Sequence, residues 1–97
     1  MRPLTTDLDD EDARPCFLWD EDLSIRQIRE VLAGGEPERR LRLLAKILRE
    51  GRDDEVWRFT TPREVARLWP ELAPLVGRRR PFWEFLIDAW RRLNLLG

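Results

Sequence analysis

The groups in this 97-residue chain that could do chemistry are few: one thiol, Cys16, one serine hydroxyl, Ser24, and 19 carboxylates, with no histidine and no tyrosine. A nucleophilic site on Cys16 or Ser24 needs a base beside it, and the commonest base is missing. One cysteine without histidine leaves too few soft ligands for zinc. The run Asp7-Leu8-Asp9-Asp10-Glu11-Asp12 gathers carboxylates as a calcium loop does. It lacks the mid-loop glycine and closing glutamate of such a loop, and no helix precedes it, so a solvated acidic tail is the plainer reading. Gly34-Gly35 has neither a preceding strand nor a Lys-Ser/Thr ending, so it stops a helix and does not cradle a phosphate. These residue types point away from catalysis. The chain is expected to be non-enzymatic, with no cofactor and no metal.

Two sets of residues could bind a partner. The first is Arg78-Arg79-Arg80 with Arg91 and Arg92, guanidinium groups that suit either nucleic-acid phosphates or an acidic protein surface. The plain alternative is an exposed loop and helix face paired with Glu71, Glu84 and Asp88. The second set is Phe17 and Trp19, two aromatic residues outside any helix, either tucked onto the body or offered to a partner. Tucking is the expectation for Trp19. A helix-turn-helix with residues 62–69 as the reading helix is the weaker reading, because that helix has no Asn, Gln or Ser to read base edges.

Helices must position these groups. Ser24 with Gln27 forms a capping box for a first helix carrying Ile25, Ile28, Val31 and Leu32, and Gly34-Gly35 ends it. Glu36-Pro37 opens a second helix, whose stripe of Leu41, Leu44, Ala45 and Leu48, widened by Leu43 and Ile47, predicts a central element touched on two sides. Asp53-Asp54 caps a short helix bearing Val56, Trp57 and Phe59. Thr61-Pro62 then starts a helix with Val65, Leu68 and Trp69, which Pro70 is expected to close. A short turn with Leu72, Leu75 and Val76 ends at Gly77. Pro81 opens the last helix, with Phe82, Leu86, Ala89 and Leu93 in register and Trp83 and Trp90 beside them. Trp57, Trp69, Trp83 and Trp90 all fall on apolar stripes and are expected in the core. No segment shows the alternation of a strand. The fold class is all-α: a compact bundle of five to six short helices with a disordered acidic N-terminal arm.

Charge separates the chain into two parts. Residues 1–22 hold two arginines against eight acids, net −6, and the remainder is net +5. Residues 1–14, with few apolar groups, are expected to be disordered, and 15–97 to form one helical domain. The arm reads as a solubility tail, a cover for the basic patch, or a segment that folds onto a basic partner. There is no run of 18 apolar residues, no signal-peptide pattern and no cysteine pair, so the expected setting is the cytoplasm, away from membrane.

Three segments together resemble a known group. They are Phe17-Leu18-Trp19-Asp20-Glu21-Asp22-Leu23, then Ile28 through Gly35 with the Leu-rich helix after it, and Ala45 through Glu50 running into Asp54-Glu55-Val56-Trp57-Arg58-Phe59-Thr60. In this order they resemble small uncharacterised bacterial helical proteins encoded beside nucleotidyltransferase-like toxins of the abortive-infection type. The likeness covers roughly residues 15–70, with Asp20-Glu21-Asp22 departing from the Asp-Tyr-Asp of the group. It implies the antitoxin-side partner of a two-gene module, and carries over no functional residues. The expected function is therefore a protein-interaction module, binding the product of an adjacent gene or a second copy of itself. The alternative is a nucleic-acid-binding transcriptional regulator using the C-terminal arginines.

Overall fold

The structure, a computed structural model, describes residues 3–96; Met1, Arg2 and Gly97 lie outside the described residues. Five α-helices carry the fold: α1 (Ile25–Gly34), α2 (Pro37–Glu50), α3 (Asp53–Val56), α4 (Pro62–Leu72) and α5 (Arg80–Arg92). A turn of 3-10 helix at Cys16–Leu18 precedes α1, and two more at Ala73–Leu75 and Gly77–Arg79 join α4 to α5. The all-α reading stands, with one small addition. Leu4–Thr5 (β1) pairs in parallel with Arg14–Pro15 (β2), and two residues are too few for alternation to register in a sequence.

α2 is the central helix. Its buried residues Leu43, Leu44, Ala45, Ile47 and Leu48 meet α1 on one side and α4 on the other. It stops at Gly51, whose backbone N–H donates to the Ile47 carbonyl. A Cβ at Gly51 would stand 2.8 Å from that oxygen and 3.3 Å from the Phe17 ring, so only glycine lets the chain turn there against Phe17. Asp53 and Asp54, expected as a cap, instead occupy the first turn of α3, where carboxylates face the positive end of the helix. Pro70 does not close α4, which runs on to Leu72 before tightening into a 3-10 turn. Near a helix end the single hydrogen bond that proline forfeits is tolerated.

The described residues of the N-terminal segment lie against the start of α1. Leu8 and Ala13 are buried, at 8% and 3% exposure. The reason lies in α1, whose first N–H groups have no partner within the helix. Ser24 and Gln27 satisfy two through the predicted capping box. The arm satisfies two more: Ile25 N donates to the Ala13 carbonyl and Arg26 N to that of Glu11, each at 3.0 Å. Glu11 also pairs with Arg26 and Arg29, Asp12 with Arg26, and Asp9 with Arg58. The arm's acids thus meet arginines of α1 and of the turn after α3.

Candidate functional site

The orientation of α5 decides what this protein presents to its surroundings. Trp83 and Ile87, one turn apart, are its buried residues, with Trp90 packed partly against the core. The Trp83 indole Nε1 donates to the Leu48 carbonyl at 3.0 Å. Trp57 stands between Trp83 and Trp90, with ring centroids at 5.7 and 5.8 Å. The expected register of Phe82, Leu86, Ala89 and Leu93 is therefore not the inward one. At 100° per residue the buried set lies about a quarter-turn away from it. The four tryptophans expected in the core do reach it, Trp69 and Trp83 buried and Trp57 and Trp90 half-buried.

The rotation leaves an apolar stripe outside. Phe82, Phe85 and Leu93 recur at helical spacing and are exposed, Phe85 at 66% and Leu93 at 68%, while half-buried Leu86 packs against the core. Leu95, just beyond the helix, is also exposed. Helix α5 ends in a Schellman turn: Asn94 is left-handed at φ 57°, the Leu95 N–H donates to Trp90 O, and the Asn94 N–H to Arg91 O. That turn sends Leu96 back onto the body, where its carbonyl accepts from Arg63 Nε.

The five arginines read as one patch do not gather. Arg78–Arg80 precede or open α5 and Arg91–Arg92 end it, eleven residues apart between Arg80 and Arg91 and so roughly 16 Å along the axis. Arg79 reaches Asp53 at 3.8 Å and stacks over the Phe82 ring at 4.7 Å, and Arg80 pairs with Glu84 at 3.1 Å. Arg78, Arg91 and Arg92 are exposed and form no ion pair among the described residues. Nor does the acidic arm cover this region, since its ion-pair partners among the described residues are Arg26, Arg29 and Arg58.

Phe17 and Trp19 part company. Phe17 is half-buried, 6.0 Å from the Phe59 ring. Trp19 is 67% exposed, against the expectation that it tucks in. Its backbone is what is held, the carbonyl accepting from the buried Arg14 guanidinium at 3.1 Å.

A second charged feature lies along α2. Lys46, the chain's one lysine, donates to Asp20 at 2.8 Å and Glu21 at 2.7 Å. Its hydrogen bond holds the Asp20 carboxyl below its usual range. Burial works against the Lys46 ammonium, but the hydrogen bonds to Asp20 and Glu21 outweigh it and its pKa is raised. Arg39, Arg42, Lys46 and Arg49 line the adjoining cleft of about 380 Å³. Three of these four already hold carboxylates, Arg42 taking Glu38 and Arg49 taking Glu50.

No helix among the described residues is long and apolar enough to cross a membrane. The chain matches no family model, no curated protein and no solved structure.

Proposed function

We propose that this protein is a non-enzymatic interaction module that docks on a protein partner through the exposed stripe of α5. The observation that carries the reading is that Phe85 and Leu93 stand open to solvent beside the exposed Phe82. Contiguous apolar surface of this kind has a cost in water that a partner relieves. Exposed Trp19 is a further aromatic contact of the type interfaces use as anchors. The resemblance over residues 15–70 names a partner class, with the chain acting as the antitoxin-side subunit that opposes a nucleotidyltransferase, in the cytoplasm of a bacterium.

Nucleic-acid binding through Arg78, Arg79, Arg80, Arg91 and Arg92 is the second reading, favoured by Arg78, Arg91 and Arg92, which form no ion pair among the described residues. It is weakened by the distance between the two groups and by the commitment of Arg79 and Arg80 to carboxylates. The test is an affinity pull-down from native host lysate, with and without nuclease, comparing the wild-type chain with Phe85→Ser/Leu93→Ser. A nuclease-resistant stoichiometric protein that the double variant no longer recovers is the expected result. Recovery of nucleic acid, with accompanying proteins lost on nuclease treatment, overturns the reading in favour of the arginines.

A further inference from the structure

A pocket of about 280 Å³ opens where α1, α2 and α4 meet the turn between α3 and α4. Leu32 of α1, Leu44 of α2 and Leu68 of α4 give it apolar walls, and Phe59 adds a ring. Two polar groups in this apolar lining lack a partner. The Thr60 hydroxyl oxygen is buried and forms no hydrogen bond among the described residues. Arg40 is half-buried, and its guanidinium forms neither an ion pair nor a hydrogen bond among the described residues. A buried hydroxyl and a half-buried cation each gain on meeting an acceptor, and apolar surroundings strengthen the bond. None of the nearby acids closes on Arg40. Glu64, which also lines the pocket, gives its two oxygens to Arg67 at 2.6 and 3.2 Å. Glu38 is taken by Arg42, and Glu71, which shares an adjoining depression with Arg40, forms no ion pair with it.

Independently of the docking role given to α5, we infer that this pocket binds a small amphipathic carboxylate. The apolar body of the ligand lies among Leu32, Leu44, Phe59 and Leu68. Its carboxylate accepts from the Thr60 hydroxyl, and the Arg40 guanidinium, on its long stem, meets the charge. A guanidinium can only donate, and a hydroxyl beside an anion turns its one proton toward it. A carboxylate therefore serves both groups at once, with the added strength of charge-assisted bonds. An ammonium would use the hydroxyl oxygen alone and meet Arg40 as a like charge. Size narrows the class further. Pockets for drug-sized ligands run roughly 300–1,000 Å³, so about 280 Å³ suits a single ring or a branched acyl chain and not a nucleotide. The cleft beside Lys46 is the poorer anion site, because three of its four cations already hold carboxylates.

Phenylpropionate, its primary amide and phenylpropylamine share an apolar body and differ at the polar end, so they serve as probes. Each is titrated into the isotope-labelled full-length chain and followed by amide chemical shifts. The carboxylate is expected to move the signals of Phe59, Thr60 and Thr61 and to bind at least about tenfold more tightly than either analogue. Thr60→Val keeps the shape and removes the hydroxyl. Because that hydroxyl has no partner within the fold, the thermal midpoint of the variant stays level or rises, while carboxylate affinity drops about three- to tenfold. Arg40→Gln, which breaks no ion pair, brings the carboxylate down to the affinity of the amide. Equal affinity for carboxylate and amide, tighter binding of the amine, or no shift at residues 59–61 up to about 10 mM probe overturns the inference. So does carboxylate binding that neither Thr60→Val nor Arg40→Gln weakens. A lower midpoint in Thr60→Val with carboxylate affinity intact also overturns it, since the hydroxyl would then serve the fold and not a ligand. None of these outcomes bears on partner recovery through Phe85 and Leu93.

Discussion

The indole Nε1 of Trp83 donates to the carbonyl of Leu48, 3.0 Å away, and this bond ties α5 to the C-terminal end of α2. Leu48 lies in the last turn of α2, where carbonyls have no acceptor role left within the helix and need an outside donor. Trp83 is fully buried, so no water substitutes for it. Trp83→Phe keeps most of the apolar volume but orphans that carbonyl. The expected loss is on the order of 1–3 kcal/mol, read from urea unfolding of the variant against wild type. A loss below about 0.5 kcal/mol, the scatter of neutral surface changes, shows that the bond does not anchor α5.

The acidic arm contributes two acceptors to the start of α1, the carbonyls of Ala13 and Glu11, and inserts Leu8. Leu8→Ala is expected to cost about 2 kcal/mol, the low end for a buried leucine because the site is peripheral. Amide exchange at Ile25 and Arg26 then speeds up, since each donates to an arm carbonyl. Exchange at these two amides that matches wild type shows that the arm is not held on α1.

The Lys46 cluster gives stability a defined pH dependence. The Asp20 carboxyl is held below its ordinary value of 3.8 by the Lys46 hydrogen bond. Its contribution is present above the unfolded value and lost as pH falls through the lower folded one. The Lys46 pKa is raised above 10.5, so its contribution is present below that value and lost as pH rises through the folded one. Lys46→Met removes both interactions. Thermal midpoints measured across the acid and alkaline limbs should fall less steeply in the variant than in wild type. Parallel limbs in the two proteins would show that the cluster carries no linkage.

Local signals in the sequence were dependable where one turn of backbone determined the outcome. The Ser24–Gln27 box, Pro37 at the first turn of α2 and the Gly51 stop appear where residue type required them. The central position of α2 followed from the width of its apolar face. What the sequence could not resolve was which of two apolar stripes on α5 turns inward. Phe82, Leu86, Ala89 and Leu93 make as good a stripe as Trp83, Ile87 and Trp90, and the choice rests on Trp57 and the Leu48 carbonyl, both distant in sequence. The same limit applies to the contacts of the arm's described residues, which depend on N–H groups of α1. It also applies to Arg79 and Arg80, whose charge is met by Asp53 and Glu84.

The two stripes of α5 should respond oppositely to truncation. Ile87 is 2% exposed and Phe85 66%, although they sit two residues apart on one helix. Ile87→Ala opens a cavity beneath α5 and is expected to cost about 2–5 kcal/mol. Phe85→Ser removes the larger side chain yet touches no core packing, so the expected change is within about 0.5 kcal/mol. Denaturant midpoints of the two variants, measured side by side, give the comparison. Equal destabilisation, or a larger loss in Phe85→Ser, means that α5 is rotated from the orientation described and that the Phe82–Leu93 stripe faces the core. The reverse ranking leaves Phe85 free of any folding role, so that loss of partner recovery in Phe85→Ser/Leu93→Ser reports on binding.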